Sequence, residues 1–125
     1  MKADKADAAA FDMAELVRVA GGDTTLADEL ARLFLSESSE HMSRMWSAIN
    51  NSDGPALKFA AHALKGSAAS LTARAVAVIA GRLEEIGVAG DMKAAKRAFA
   101  ELANDMSALA VTLELLLANI PTVAA

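Results

Sequence analysis

Hydrophobic and polar positions repeat along the chain with a helical period that is interrupted at a few places. The strongest interruptions are residues 21–23 (Gly-Gly-Asp) and the polar run 50–55; weaker ones lie at 70–72 and 87–91. These breaks divide the chain into a short N-terminal helix, over about residues 12–20, and four longer helices.

Residues suited to helix capping stand at these breaks. Asp23, Asp53 and Asp91 each precede a long helix, where a carboxylate can accept hydrogen bonds from free backbone N–H groups. Thr72 is predicted to cap the helix that lies between those preceded by Asp53 and Asp91. Pro121 is predicted to end the final helix.

Each long helix carries an apolar stripe that predicts its buried side. Short connections between such helices favour antiparallel neighbours. We therefore predict an all-α fold, an up-down antiparallel four-helix bundle with a short extra N-terminal helix. In chain order, the stripes of the long helices are Leu26, Leu30, Leu33 or Phe34, His41, Met45 and Ile49; Leu57, Ala61, Leu64 and Ala68; Val76, Ile79, Leu83 and Ile86; Ala95, Phe99, Leu102, Met106, Leu109, Leu113, Leu116 and Ile120.

The length of 125 residues fits one domain. We predict a flexible N-terminal segment (1–10), the helical domain (11–120) and a C-terminal tail (121–125). Aromatic residues make up only 4% of the chain and tyrosine is absent, which disfavours a β-sandwich or barrel.

Charge and cysteine content narrow the function. A net charge of −4 argues against nucleic acid or an acidic membrane surface as the partner. The absence of cysteine excludes disulfides, thiolate metal sites and cysteine nucleophiles. The most apolar run, residues 108–120, contains Glu114 and is shorter than the roughly 20 residues of a membrane span. We expect a cytoplasmic monomer without a membrane segment.

The two histidines have different settings. His41 lies on the same side of its helix as the core residues Phe34 and Met45, and we interpret it as a core or core-edge imidazole with a hydrogen-bond partner. His62 lies about 140° from Leu57 around the helix, so it is predicted to point out of the bundle. An accessible imidazole is a competent nucleophile near neutral pH.

The residues around His62 share one exposed helix surface. Two lysines there could neutralise an anion such as a phosphoryl group, and a mid-helix glycine, which costs roughly 1 kcal/mol relative to alanine, clears space above the ring. The alternative is a solvated surface histidine with the glycine serving a close helix contact. With no second histidine or carboxylate at ligand spacing, the pattern does not favour a metal site. The surface comprises Lys58, Phe59, Lys65, Gly66 and Ala69.

Residues 61–71, Ala-His-Ala-Leu-Lys-Gly-Ser-Ala-Ala-Ser-Leu, resemble the phosphoacceptor helix of histidine-containing phosphotransfer (HPt) domains. The family pattern there is His-x-x-Lys-Gly followed by small residues. The resemblance extends in order from about Phe11 to Leu117, with supporting segments at Phe11-Asp12, Gly21-Gly22-Asp23, Leu30 with Phe34, Leu83-Glu84 and Gly90-Asp91.

The resemblance implies a phosphorelay intermediate. His62 would accept a phosphoryl group from an aspartyl phosphate on a receiver domain and pass it to another, Lys65 would stabilise the phosphoryl group, and Gly66 would leave room for the receiver. The implied partners are response-regulator receiver domains, a hybrid histidine kinase, or both. The acidic residues and Mg²⁺ of the reaction would belong to the receiver, so no cofactor is expected on this chain.

The helical pattern adds Lys58, Phe59 and Ala69 as residues expected to contact a partner. One departure from the family is Thr72, where glycine is frequent, and we expect a changed turn there. The resemblance includes no ATP-binding domain.

Two other functions stay open on the sequence alone. One is a non-catalytic helical adaptor that binds a receiver or kinase through the same surface; the other is a dimerising bundle, which four helices in one chain make unnecessary. A second apolar stripe, Leu35, Met42 and Trp46, is expected to be covered by the N-terminal helix through Leu16 and Val17, or else to form an interface.

Overall fold

The computed structural model describes residues 11–119, which form five α-helices and no β-strand. The predicted all-helical class is confirmed. The predicted segments 1–10 and 121–125, with Pro121, and the predicted core residue Ile120 lie outside the described residues. No helix within 11–119 has the length and apolar character needed to cross a membrane. The helices are α1 (Met13–Val19), α2 (Thr24–Asn50), α3 (Gly54–Ser70), α4 (Arg74–Ala89) and α5 (Met92–Asn119).

The four long helices pack in a ring. α3 packs against α2 and α4, and α5 packs against α4 and α2, so each long helix has two long neighbours. The contact between α3 and α4 is the most extensive and that between α2 and α5 the least. The short helix α1 contacts α2, and an ion pair between Glu15 and Arg74 ties it to the start of α4.

Aspartates cap four of the five helices described. The side chains of Asp12, Asp23, Asp53 and Asp91 accept hydrogen bonds from first-turn backbone N–H groups, at distances of 3.0 to 3.3 Å. Each bond satisfies a donor that has no partner within its helix. The predicted caps Asp23, Asp53 and Asp91 are confirmed.

The predicted cap at Thr72 is wrong. Helix α4 begins at Arg74, and Ala73 occupies its N-cap position without a side-chain hydrogen bond. Thr72 has φ of 65°, in the left-handed region that disfavours a β-branched residue, and its hydroxyl donates a hydrogen bond to the carbonyl of Leu71. The turn between α3 and α4 therefore has a backbone conformation better suited to glycine.

Thr72→Gly is expected to raise the free energy of unfolding by about 0.5–1 kcal/mol. It relieves a left-handed conformation that costs roughly 1–2 kcal/mol, partly offset by the roughly 0.5–1 kcal/mol entropic cost of glycine. Urea denaturation measures the difference. Thr72→Ala, which keeps a Cβ atom, is the control and should show no such gain. A Thr72→Gly protein less stable than wild type would show that the left-handed conformation at Thr72 is not strained.

The core confirms the α3 stripe and corrects the α2 stripe. Leu57, Ala61, Leu64 and Ala68 are all fully buried. In α2, however, Leu26 and Leu33 are 39% and 52% exposed, while neighbouring small residues are buried in their place. Small side chains allow α2 to approach the other helices closely, which leaves the leucines beside the contact. The buried residues of α2 are Ala27, Ala31, Phe34, Ser38, Met45, Ala48 and Ile49.

The other two stripes are correct at most positions. In α4, Val76, Ile79 and Leu83 are buried, and Ile86 is partly buried. In α5 the buried face includes Ala98 and Leu117, which the stripe omitted. The predicted residues that are only partly buried are Ile86, Phe99 and Leu116.

His41 has the predicted location but lacks the predicted partner. The residue is partly buried on α2, and its Nδ1 atom is enclosed without a hydrogen-bond partner among the described residues. The role expected of His41, a core-edge imidazole held by a hydrogen bond, is therefore correct only as to position.

The second apolar stripe of α2 contains an unpredicted contact. Trp46 is 48% exposed, and its ring stacks on Phe99 of α5 with centroids 5.3 Å apart and planes inclined by 29°. Leu35 and Met42 are partly buried against the core. The stripe thus contributes to the contact between α2 and α5 through its tryptophan.

Candidate functional site

Glycines bring α3 and α4 close together. A Cβ atom placed on Gly54 would lie 2.5 Å from the carbonyl oxygen of Gly87, and one placed on Gly87 would lie 2.7 Å from the backbone nitrogen of Lys58. Because these neighbours are backbone atoms, a larger residue at either position would force the helices apart.

This close approach sets an antiparallel register that places Glu84 beside His62. Lys58 lies against Gly87, His62 against Glu84, and Lys65 against Gly81, so each step forward along α3 is a step back along α4. The ring nitrogen Nδ1 of His62 is 2.9 Å from Oε2 of Glu84.

The same carboxylate also holds Lys65. The Nζ atom of Lys65 is 2.7 Å from Oε1 of Glu84, so each oxygen of the carboxylate has one partner. The lysine stem passes over Gly81, where an added Cβ would lie 3.4 Å from Lys65 Cδ. Glu84 therefore bridges the histidine and the lysine that the sequence analysis singled out.

The bridge defines which nitrogen of His62 can react. An ionised carboxylate only accepts hydrogen bonds, so Nδ1 must donate its N–H to Glu84. In the neutral ring, Nε2 then carries the free lone pair. The His62 side chain is 67% exposed. Nε2 is thus the ring nitrogen that is left open to a partner.

The two hydrogen bonds also keep Glu84 ionised. The hydrogen bond from Lys65 lowers the pKa of the Glu84 carboxyl most, the one from His62 lowers it further, and partial burial opposes both. A carboxyl with a lowered pKa carries its charge throughout the neutral range.

The lowered pKa predicts an acid-dependent contribution to stability. Since folding lowers the pKa of Glu84 from 4.5, its stabilisation is complete above that value and disappears as the pH falls through the folded-state pKa. The difference in urea midpoint between wild type and Glu84→Gln should therefore shrink as the pH falls below 4.5 and through the lower pKa of the folded state. Glu85→Gln, which removes the same charge at an exposed neighbouring position, should show no such trend. A difference in urea midpoint that persists unchanged at low pH would show that the ionised Glu84 carboxylate is not stabilised by His62 and Lys65.

The partner-contact residues predicted around His62 are exposed. Phe59 is 75% exposed, and it lines an open depression together with Lys58, His62, Glu84 and Pro55. The lining of the depression therefore combines the apolar ring of Phe59 with the imidazole of His62 and the ammonium group of one lysine.

Gly66 and Ala69 lie on the same exposed side of α3. An added Cβ on Gly66 would meet nothing within 4 Å, so a close helix contact does not account for this glycine. That alternative applies to Gly54 and Gly87 instead.

Sequence reasoning placed Lys65 beside His62 but missed Glu84, whose carboxylate contacts both side chains. Glu84 is 22 residues from His62 in the chain, and its only signal was the segment Leu83-Glu84 quoted for the family resemblance. Pro55 was likewise missed as part of the depression. Within residues 11–119 no group of three or more His, Cys, Asp or Glu side chains is placed to hold a metal ion.

Comparison with known families agrees with this geometry. The chain matches the Hpt domain family over residues 29–112, well over half its length. It belongs to the Hpt domain family. The resemblance found in residues 61–71 is thereby confirmed. Hpt domains take part in histidine phosphotransfer within phosphorelays and generally interact with the receiver domains and kinases of two-component systems.

A solved structure shows the same fold as this Hpt domain. The crystal structure of histidine-containing phosphotransfer protein B (HptB) from Pseudomonas aeruginosa PAO1 superposes with a TM-score of 0.77, covering 87% of this chain and 92% of that chain at 20% identity. At that identity the likeness concerns the fold alone. Among curated proteins, no significant match to the chain was found.

Proposed function

We propose that this Hpt domain is a phosphorelay intermediate that accepts a phosphoryl group on His62 from an aspartyl phosphate of a receiver domain and passes it to another receiver. The observation that carries the proposal is the exposed imidazole whose Nδ1 is bound to Glu84, while Nε2 has no hydrogen-bond partner among residues 11–119. A nucleophile held in this way needs no further base to react with an acyl phosphate.

The proposed reaction depends mainly on positioning and charge. The Nε2 lone pair attacks phosphorus, the N–P bond forms, and the aspartate carboxylate leaves. Lys65, one turn after His62, supplies positive charge for the phosphoryl oxygens. The acidic residues and Mg²⁺ that the transfer also requires would come from the receiver, with none held by this chain.

The surface around His62 is the proposed docking site for the receiver or for a hybrid histidine kinase. Phe59 offers exposed apolar area and Lys58 offers a positive charge. On the other side of the His62 ring, the small residues Gly66 and Ala69 leave room for a partner. We further propose an up-down antiparallel order for the four long helices, supported by the short connections between them. We also propose a cytoplasmic location and a monomeric state, the latter because four helices in one chain make a bundle shared between two chains unnecessary.

The test mixes the protein with a panel of phosphorylated receiver domains and follows acid-labile, base-stable label on this chain. Label is expected on wild type and on His41→Gln, since His41 is the other of the two histidines in the chain, and should be absent from His62→Ala. Binding of a receiver without any label would instead support a non-catalytic adaptor. Label that survives in His62→Ala would refute the assignment of His62.

Lys65→Ala is expected to slow phosphoryl transfer about tenfold, the factor that corresponds to losing one hydrogen bond to a charged group. Rapid-quench measurement of transfer from a labelled receiver gives the rate. Lys96→Ala, which removes an exposed lysine from α5, is the control and should transfer at the normal rate. A normal rate for Lys65→Ala would show that Lys65 does not stabilise the phosphoryl group.

A further inference from the structure

A groove of about 300 Å³ lies between α4 and α5, apart from the site around His62. Its floor is apolar, since Ile79 is buried there and Val78 beside it is 64% exposed. A lone exposed valine on a convex surface is ordinary, but a concave apolar site offers several contacts to one inserted side chain. Val78 and Ile79 therefore form a surface that one apolar side chain of a partner can cover.

Charged side chains line the same groove, and one of them has no partner. Arg82 of α4 reaches across to Glu101 of α5, with Nη2 3.0 Å from Oε2. Arg74, at the other end of the α4 wall, pairs with Glu15. Asp105 lies one turn after Glu101 and is partly buried, yet it makes no hydrogen bond or ion pair within the part of the chain that the structure describes. The α5 wall thus keeps one uncompensated negative charge beside apolar surface.

We propose that this α4–α5 groove is a docking site for an amphipathic helix of a partner protein, which covers Val78 with an apolar side chain and places a lysine or arginine beside Asp105. The charges are complementary, because a cation there would meet the carboxylate of the groove that lacks one. The lining covers residues 74–82 of α4, a length of about 12 Å, which corresponds to about two turns of the bound helix.

The walls of the groove favour a helix over an extended segment as the bound element. Both walls are α-helices, whose interior backbone N–H and C=O groups are already paired within the helix. An extended segment would therefore find no backbone partners over the apolar floor, whereas a helix satisfies its own backbone groups.

A helix in the groove would leave His62 open. Glu84, which contacts His62, and Arg82, which lines the groove, are about 160° apart around α4. A receiver that approaches His62 and a helix that lies in the groove would therefore contact different sides of α4. The groove would allow the domain to hold one partner while it exchanges a phosphoryl group with another.

The probe for this site is a synthetic amphipathic helix of about 15 residues, near the length at which isolated helices become stable. It carries leucines on one face and a single lysine one turn from the central leucine, and a matched peptide carries glutamate in place of that lysine. Binding to the full chain is followed by ¹H–¹⁵N NMR. The backbone amides of Val78, Arg82 and Asp105 should shift with the lysine peptide and much less with the glutamate peptide.

A pair of valine substitutions tests the apolar contact. Val78→Asp should weaken binding of the lysine peptide about tenfold, the effect of losing one buried apolar contact. Val88→Asp is the matched control, because Val88 is also on α4 and is 70% exposed but does not line the groove. It should bind the peptide as wild type does.

A pair of charge reversals tests the ionic contact. Wild type should prefer the lysine peptide about fivefold, the upper value for an exposed ion pair, and Asp105→Lys should prefer the glutamate peptide instead. Glu114→Lys makes the same charge change at an exposed α5 position outside the groove and should keep the preference of wild type. Unchanged circular dichroism spectra would show that all four variants keep the fold.

Three results would overturn the proposal. The first is a lysine peptide that shifts no groove amide at about 1 mM, the weak end of specific affinity. The second is equal binding of the two peptides by wild type, and the third is a set of shifts around Phe59 instead of the groove. Groove amides that shift when the chain alone is concentrated would identify a second copy of the chain as the occupant, which also contradicts a partner helix.

Phosphoryl transfer is measured alongside, so that the groove and the proposed function are judged separately. Transfer from a receiver to His62 should keep its normal rate in Val78→Asp and in wild type saturated with the lysine peptide. A slower rate with the peptide bound would show that the two sites are not independent. Failure of transfer in every variant, with peptide binding intact, would count against the phosphorelay function alone.

Discussion

Gly66→Trp is expected to reduce phosphoryl transfer between a receiver domain and His62 about a hundredfold, the loss typical of a reacting group displaced by about 1 Å. Position 66 lies one turn after His62 on the exposed side of α3, and nothing in the folded chain occupies the space that its side chain would enter. An indole there would stand where the receiver must bring its aspartyl phosphate.

The fold should tolerate this change, which makes the result interpretable. Loading of His62 by phosphoramidate, a donor small enough to pass the indole, should proceed at a rate near that of wild type, and the circular dichroism spectrum should be unchanged. Gly66→Ala is the control for backbone effects and should keep most of the transfer. Normal transfer by Gly66→Trp would remove the steric reason for glycine at this position.

Gly87→Ala is expected to lower the free energy of unfolding by about 1–3 kcal/mol, the usual cost of overpacking a core. Alanine is intrinsically better than glycine within a helix by roughly 0.5–1 kcal/mol, so the two effects oppose each other. The clash should win because the added Cβ would lie 2.7 Å from the nitrogen of Lys58 and 2.9 Å from the carbonyl oxygen of Gly54, and backbone atoms cannot rotate away.

Gly66→Ala gives the matched control for Gly87→Ala. Both glycines lie within helices, but the Cβ at position 66 meets no atom within 4 Å, so this substitution should raise stability by up to about 1 kcal/mol. We therefore expect urea denaturation to show changes of opposite sign in the free energy of unfolding of the two variants. Equal stabilisation by both would show that α3 and α4 are not held at the close distance described.

Helix positions and caps could be predicted from sequence because they depend on local chemistry. An aspartate before an apolar stripe both starts a helix and satisfies its free N–H groups, as Asp23 and Asp53 do. The outward direction of His62 also followed from local spacing, since the neighbouring Leu57 and Ala61 fixed the buried side of α3. The family resemblance supplied the proposed function, which this direction alone left open.

The errors arose where packing between helices decides the outcome. Hydrophobicity favours Leu33 over Ala31 as a core residue, yet close packing buries the alanine and leaves the leucine exposed. Thr72 is a good cap by residue type, but the turn into α4 adopts a left-handed conformation there. Glu84 became a site residue only through the α3–α4 register, which Gly87 permits and which no local pattern encodes.

The stacking of Trp46 on Phe99 provides an optical probe of the ring of helices. It lies at the α2–α5 contact, the least extensive of the four between long helices, where local opening should cost the least free energy. Trp46 is the chain's one tryptophan. Its fluorescence therefore reports, without any label, whether the first and last long helices stay together when a partner binds on α3.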